Sequence, residues 1–396
     1  MGRWLENLEQ FAIDVILERR QGVRATFLRG LLYALSFIYE RLVQLRLFFY
    51  RHRIFRERTL GCLVISIGNL TVGGTGKTPV VENIARALQS GGRRVAILSR
   101  GYKSVPRPSQ KTWIDRIRHR DSAPPRIVSD GKALLLDSLT AGDEPYMLAH
   151  NLKDVIVLVD KDRVKSGLYA IRKMKADALL LDDGLQYLHL KHRLDIVLID
   201  RQAPFGNEFL LPRGTLREPP RNLRRASYIF ITKSTGEPND ELIKRIRRYN
   251  RTAEIIECAH QPLHLQNVMT DGRLPLDRLR DTYIGSLCGI AAPESFEEGL
   301  RKLGARIELA KRYLDHHRYT EAELQSFINR CIRRDLEMIV TTEKDAVRFP
   351  RLTNPQVPIY FLRVEIKILS GHESWEHCVA RICRPQPMLT PERFFS

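Results

Sequence analysis

The stretch Gly68-Asn69-Leu70-Thr71-Val72-Gly73-Gly74-Thr75-Gly76-Lys77-Thr78-Pro79 limits this chain more than any other feature. It follows an apolar run at residues 63–67 and precedes a helical pattern, so it reads as a strand, a phosphate loop and a helix. Glycines let backbone N–H groups turn inward around a phosphate, and a helix N-terminus adds positive potential there. The expected ligand is a nucleoside triphosphate, cradled by Thr71, Val72, Gly73, Gly74, Thr75 and Gly76. Lys77 supplies a mobile cation, and Thr78 a hydroxyl for Mg²⁺. One position departs from the usual G-x-x-x-x-G-K-[ST] spacing: Thr71 stands where the first glycine is expected. The competing reading is a glycine-rich turn without a ligand.

Past this loop the chain alternates between the two periodicities. Residues 79–90 read as a helix with proline in its first turn, stopped by Gly91-Gly92, and residues 95–99 as a second strand. Further apolar runs of strand length lie at 154–160, 178–182, 195–200, 228–232 and 338–342. Short apolar strands between helices predict an α/β fold, a mostly parallel sheet with helices on both faces. Residues 104–125, rich in Pro, Arg and Ser, read as a mobile basic loop. The six cysteines contain no C-x-x-C pair, which argues against a disulfide framework and a structural zinc site.

Charge is lopsided: 65 Lys and Arg against 46 Asp and Glu give +19, which favours an anionic partner. No aromatic-interleaved basic platform, zinc motif or recognition helix is visible, so a nucleic-acid module is not expected. Residues 1–58 hold eleven Arg and no Lys, with a Leu/Phe/Tyr/Ile-rich run at 27–50 interrupted by Arg29, Glu40, Arg41 and Arg46. The uncharged part, 30–39, is ten residues, half of the roughly 20 a span requires. A helix lying on a membrane surface with arginines toward headgroups fits better; an amphipathic helix packed on the protein's own core is the alternative.

Several strands deliver acids at their carboxyl ends, where ligands sit in such sheets. Ala178-Leu179-Leu180-Leu181-Asp182-Asp183-Gly184 places two carboxylates before a glycine turn, as a Walker B element does, and hard oxygens suit Mg²⁺. Val159-Asp160-Lys161-Asp162-Arg163 ends similarly, with Arg163 in reach of a phosphate. In Ala141-Gly142-Asp143-Glu144-Pro145 the acidic pair opens a helix after a glycine that would admit substrate; taken alone, the pair reads first as helix capping. Leu314-Asp315-His316-His317-Arg318-Tyr319 sets two histidines beside an acid, and Thr320 with Glu323 has capping-box spacing for a new helix.

In order along the chain, these segments resemble the tetraacyldisaccharide 4'-kinase family of lipid A biosynthesis. The resemblance runs from about residue 60 to about 361 through the glycine loop, Ser99-Arg100-Gly101-Tyr102, Ala141 to Pro145, Asp182-Asp183-Gly184-Leu185-Gln186, Leu211-Pro212-Arg213-Gly214-Thr215-Leu216-Arg217-Glu218, Asp315-His316 and Thr341-Thr342-Glu343-Lys344-Asp345-Ala346-Val347. It implies transfer of the γ-phosphate of ATP, with Mg²⁺, to the 4'-hydroxyl of a tetraacylated glucosamine disaccharide 1-phosphate. It also implies Asp143 as base assisted by His316, with Lys77 on the phosphates. Thr78, Asp182, Asp183 and Glu218 would serve the metal, and Glu144, Arg163, Gln186 and Arg217 the substrate and its phosphates. Thr71 matches a residue type the family uses. Relatives usually carry glycines after the position of Tyr102, where this chain has Lys103-Ser104.

The expected layout is an N-terminal membrane-associated helical region (1–58), a P-loop nucleotide-binding domain (59–252), a smaller α/β lobe with a two-stranded connector (253–365) and a tail (366–396). The expected partners are the acylated lipid and the cytoplasmic face of the inner membrane, with no nucleic acid and no obligate protein partner. His316 falls in the smaller lobe and Asp143 and Lys77 in the larger, so transfer should require closure. A membrane-associated partition or targeting ATPase is the rival reading: it would share the glycine loop but would not need Asp143 with His316.

Overall fold

The computed structural model describes residues 11, 14–16, 18–102, 104–105, 123–350, 352 and 355–384. Most of the basic loop at 104–125 and the last twelve residues lie outside the described residues. In chain order the elements are α1 (Val23–Arg51), β1 (Leu63–Asn69), α2 (Lys77–Ser90), β2 (Val95–Ser99), β3 (Arg126–Asp130), α3 (Asp143–Asn151), β4 (Ile156–Val159), α4 (Arg163–Met174) and β5 (Ala178–Asp182). There follow β6 (Leu194–Asp200), β7 (Tyr228–Thr232), α5 (Asp240–Tyr249), β8 (Glu254–Asn267), β9 (Arg273–Leu274) and β10 (Tyr283–Cys288). The chain ends with α6 (Pro293–Lys302), β11 (Arg306–Arg312), α7 (Glu321–Ile332), β12 (Met338–Thr342), β13 (Ile359–Ser370) and α8 (His372–Cys383).

These elements gather into two compact units. The first comprises Met1–Lys77, Ala178–Ala259 and Ile368–Ser396. Its strands run β5-β1-β6-β7-β8, all parallel. Every residue of β1, β5 and β7 is buried, as expected of parallel strands covered on both faces. The core beside them includes Leu70, Leu185, Val197, Ile199, Phe205, Leu216, Ile229, Ile231 and Ile246. Each such large side chain contributes about 1.5–3 kcal/mol by leaving water.

The second unit comprises Thr78–Asp177 and His260–Lys367. In it β2 and β4 are parallel, β3 runs antiparallel to β4, and β11-β10-β12-β13 form a parallel run. Phe327, Ile328 and Cys331 of α7 pack with Leu287, Leu309 and Ile359. The helix starts as its sequence predicts: the Thr320 hydroxyl accepts from the Glu323 amide while the Glu323 carboxylate accepts from the Thr320 amide, a capping box contributing about 1 kcal/mol. Asp162 caps α4 likewise through the amides of Val164 and Lys165. β8 and β13 neighbour each other in the sheet.

Strands at 95–99, 178–182, 228–232 and 338–342 sit where the apolar runs place them. β3 escaped the sequence reading because it borders the basic loop and has only two apolar residues, Ile127 and Val128, flanked by polar ones. The stretch after 364, uninformative as sequence, completes β13 and forms α8, whose Cys378 and Ile382 are buried. No helix among the described residues is long and apolar enough to cross a membrane.

Candidate active site

In the first unit, the glycine loop leaves β1 at Asn69 and turns through Gly73 (φ 114°) and Gly76 (φ 77°), conformations that favour glycine. Thr71 is accommodated because it does not take a left-handed turn: it makes an antiparallel bridge with Leu216, and Asn69 Nδ2 donates to its carbonyl at 2.6 Å. The Val72 amide donates to Thr215 O at 2.7 Å, and the Thr232 hydroxyl to Thr75 O at 2.8 Å, so the loop is fixed from both sides. A Cβ added at Gly73 or Gly74 would meet no atom within 4 Å. The space beside those glycines is open, a cradle of the kind a phosphate fills.

Lys77 Nζ lies 3.0 Å from Asn69 Oδ1 and 3.2 Å from Asp183 Oδ1. Asp183 also accepts from Arg217 Nη1 at 2.9 and 2.7 Å. Burial pushes the Asp183 carboxyl up, but Lys77 and Arg217 outweigh it and hold it below the ordinary carboxylate value. Asp183 has φ 54°, a strained conformation for a non-glycine residue, directly after β5. Gly184 must follow: a Cβ there would sit 2.6 Å from Leu181 Cβ and 2.9 Å from Ser66 Oγ, while its amide donates to Ile67 O at 3.0 Å. Gly68 meets the same turn, where a Cβ would lie 2.7 Å from Leu185 Cβ.

Gln186 Nε2 donates to Asn69 O at 3.1 Å and to Glu218 Oε1 at 3.2 Å, and its Oε1 accepts from Arg217 at 3.3 Å. Both oxygens of the buried Glu218 accept from Arg225, at 2.9 and 2.7 Å, and Oε2 also from Asn222 at 2.7 Å. The four metal candidates offer only hard oxygens, the donor chemistry that Mg²⁺ prefers. Thr78 and Asp182 are 5% and 4% exposed, so both are shielded from bulk water. Among the described residues no three His, Cys, Asp or Glu side chains form a metal cage.

In the second unit Asp143, the first residue of α3, is 5% exposed. It does not cap its helix. Its side chain instead accepts from Arg318 Nη2 at 2.8 Å and Arg348 Nε at 2.8 Å, and lies 3.1 Å from His316 Nδ1. Burial pushes its carboxyl up, yet the hydrogen bond to His316 and the two guanidiniums leave it below the ordinary value. Gly142 (φ 93°) makes room for protein rather than substrate: a Cβ there would lie 3.2 Å from Tyr102 O. The ring of Tyr102 meets His316 edge-on at 5.7 Å between centroids.

Arg348 is wholly buried and donates through Nη1 to Gly289 O at 3.1 Å and to Asp345 Oδ1 at 3.2 Å. Asp345 is anchored in turn by Gly289 N, Tyr319 Oη and the Thr342 hydroxyl at 3.0, 2.9 and 2.6 Å. Arg348 Nη2 also lies 3.2 Å from His316 Nδ1. A carboxylate only accepts and a guanidinium only donates, so Nδ1 cannot serve both. Protonated, Nδ1 binds the Asp143 anion; bare, it accepts from Arg348. The cluster therefore supplies partners for both tautomers of His316.

Two expected substrate residues make contacts of their own in this unit. Glu144 pairs with Lys344 at 2.8 Å. Arg163 is 5% exposed at the start of α4, its Nη1 3.4 Å from Lys161 O. The residues that sequence reading missed are mostly arginines and amides beside recognised motifs: Arg318 follows His316-His317, Arg348 follows Val347, and Asn69 opens the glycine loop. A charged residue predicted to be buried next to a motif was the available signal.

Comparison with known proteins follows the same lines. The family model described as tetraacyldisaccharide-1-P 4'-kinase matches residues 28–384. A tetraacyldisaccharide 4'-kinase of Syntrophus aciditrophicus is 39% identical over 364 residues, covering 89% of this chain and 93% of that protein. One from Halothermothrix orenii is 32% identical over 380 residues, covering 92% and 95%. Among solved structures, LpxK from Aquifex aeolicus in complex with ATP superposes with a TM-score of 0.69 at 28% identity, over 90% of this chain and all of that one.

Proposed function

The chain belongs to the tetraacyldisaccharide-1-P 4'-kinase family, and we propose that it moves the γ-phosphoryl group of ATP to the 4'-hydroxyl of a tetraacylated glucosamine disaccharide 1-phosphate. It is a phosphotransferase of lipid A biosynthesis. The observation that carries the assignment of residues is the environment of Asp143, a helix-opening acid whose side chain is given to His316 and two arginines instead of to a cap.

The sugar oxygen attacks the γ-phosphorus while the bond to the β–γ bridging oxygen breaks and ADP leaves. The hydroxyl proton passes to Asp143, which is held as the anion able to take it, and from there to the bare Nδ1 of His316, which stops accepting from Arg348 and donates to the restored carboxylate. Lys77, swinging from Asn69 and Asp183 to the β- and γ-oxygens, neutralises the charge that moves toward ADP. Thr78, Asp182, Asp183 and Glu218 would hold Mg²⁺, which would supply positive charge to offset that of the phosphates during transfer. Arg217 and Gln186 fix Asp183 and Glu218. Glu144 and Arg163 are assigned to the acceptor and its phosphates.

α1 would hold the enzyme on the cytoplasmic face of the inner membrane. Phe27, Leu31, Ile38, Leu42 and Leu45 recur at helical spacing and are half or more exposed in most cases, a stripe suited to the acyl boundary with arginines at headgroup level. The test is direct: purified protein, ATP, Mg²⁺ and the acylated disaccharide monophosphate in detergent micelles should yield the bisphosphorylated lipid. Absence of transfer, with nucleotide binding intact, sinks the reading.

A further inference from the structure

The helix that carries the outward apolar stripe also reaches the phosphate-handling charges with its other face. Tyr39 Oη donates to the carbonyl of Arg217 at 3.1 Å, and Arg46 Nη2 to the carbonyl of Gln186 at 3.1 Å. Gln44 Nε2 lies 3.4 Å from Asn222 Oδ1. One turn before Tyr39, Ser36 donates to Leu210 O at 2.7 Å and accepts from Arg213 N at 3.0 Å. The three partners of Tyr39, Gln44 and Arg46 are the residues whose side chains grip the acids: Arg217 holds Asp183, while Gln186 and Asn222 hold Glu218.

We infer that Tyr39, Gln44 and Arg46 of α1 are positioning residues for phosphoryl transfer, fixing Arg217, Asn222 and Gln186 and through them Asp183, Glu218 and Lys77. A membrane anchor needs only its apolar row and some packing to stay attached. This helix instead satisfies loop carbonyls that no strand satisfies, at the two loops flanking Asn69 and Lys77. The Arg217 amide is itself committed to Leu70 O at 2.7 Å, so a shift of Arg217 is a shift of the glycine loop. The membrane-facing element and the phosphate site are thus one construction.

The inference rests on the phosphoryl-transfer reading, and the experiment separates the two. Full-length wild type, Tyr39→Phe, Arg46→Met, the double variant and Arg46→Lys are assayed in detergent micelles with ATP, Mg²⁺ and the lipid acceptor. Each is also sedimented with phosphatidylglycerol/phosphatidylethanolamine vesicles. The double variant should lose roughly tenfold in kcat, with KM for the lipid and vesicle binding unchanged, and Arg46→Lys should recover most of the Arg46→Met loss. Tyr39→Phe removes one oxygen from a half-buried ring and should lose about threefold by itself if the double variant does not fold. A kcat within twofold of wild type, or a loss confined to lipid KM and vesicle binding, overturns the positioning role. Wild type that transfers nothing sinks the earlier reading instead.

Discussion

The Nε of Arg348 lies 2.8 Å from Oδ2 of Asp143, inside a unit where the same guanidinium also meets Asp345. One buried cation therefore neutralises two buried acids. Arg348→Met removes it while keeping apolar volume, leaving Asp143 and Asp345 partly uncompensated. The expected cost is about 3–5 kcal/mol, read by urea unfolding, together with an acid limb of kcat/KM displaced to higher pH. A variant as stable as wild type would show the cation to be dispensable.

Asp143 and His316 each handle the same proton, so neither replaces the other. Asp143→Asn and His316→Ala should each lower kcat by roughly 10²-fold or more, with KM for ATP little changed. Near-normal turnover in both variants refutes the proton role.

The pH dependence follows from two depressed carboxyls. Asp143 and Asp183 both titrate below the ordinary 3.8. A group depressed in the folded state stabilises the fold above its unfolded pKa, and that contribution is lost as pH falls through the folded value. Stability from these two acids should be constant from pH 7 to about 4 and decline below. Arg318→Gln, which removes one cation from Asp143, should bring that carboxyl back toward its ordinary value, so its decline should be smaller and end at higher pH than in wild type. Urea midpoints at pH 6, 4 and 3 check both, and a midpoint that rises from pH 4 to 3 contradicts the sign.

Two glycines separate packing from ligand binding. Gly184→Ala would force a Cβ to within 2.6 Å of Leu181 Cβ and 3.1 Å of Leu181 O, costing about 1–3 kcal/mol. Gly74→Ala meets nothing within 4 Å, so its melting temperature should stay at that of wild type while KM for ATP rises. Thermal melts paired with nucleotide titration decide; an unaltered nucleotide affinity in Gly74→Ala argues against a phosphate beside that residue.

The outward row of α1 makes its own prediction. Phe27→Ser, Leu31→Ser and Leu42→Ser together expose no core, since all three side chains are already at least half in solvent. Vesicle sedimentation should fall severalfold, more steeply at high salt, where arginine contacts to anionic lipid are screened. Unchanged sedimentation removes the membrane role from this face.

Much of this is legible in the amino-acid sequence. The glycine loop, the buried strands at 95–99, 178–182, 228–232 and 338–342, and the capping box at Thr320 follow from local pattern, because a parallel strand's burial and a helix's orphan amides are properties of a few consecutive residues. The resemblance added the pairing of Asp143 with His316, 173 positions apart, which no local rule supplies. Local rules also misjudged Asp143 as a cap and Gly142 as room for substrate.

By itself, the sequence determined which segments are strands and helices, where the phosphate loop turns, and which acids end up at the strand tips. Only the tertiary structure decided what those acids are bonded to: Arg348 and Arg318 on Asp143, Arg217 on Asp183, Arg225 on Glu218, and α1 behind Arg217 and Gln186. The physical reason is range. Backbone periodicity is set within a turn or a pleat, whereas a buried charge is tolerated only where distant segments bring it a partner, and that meeting exists only once the chain has folded.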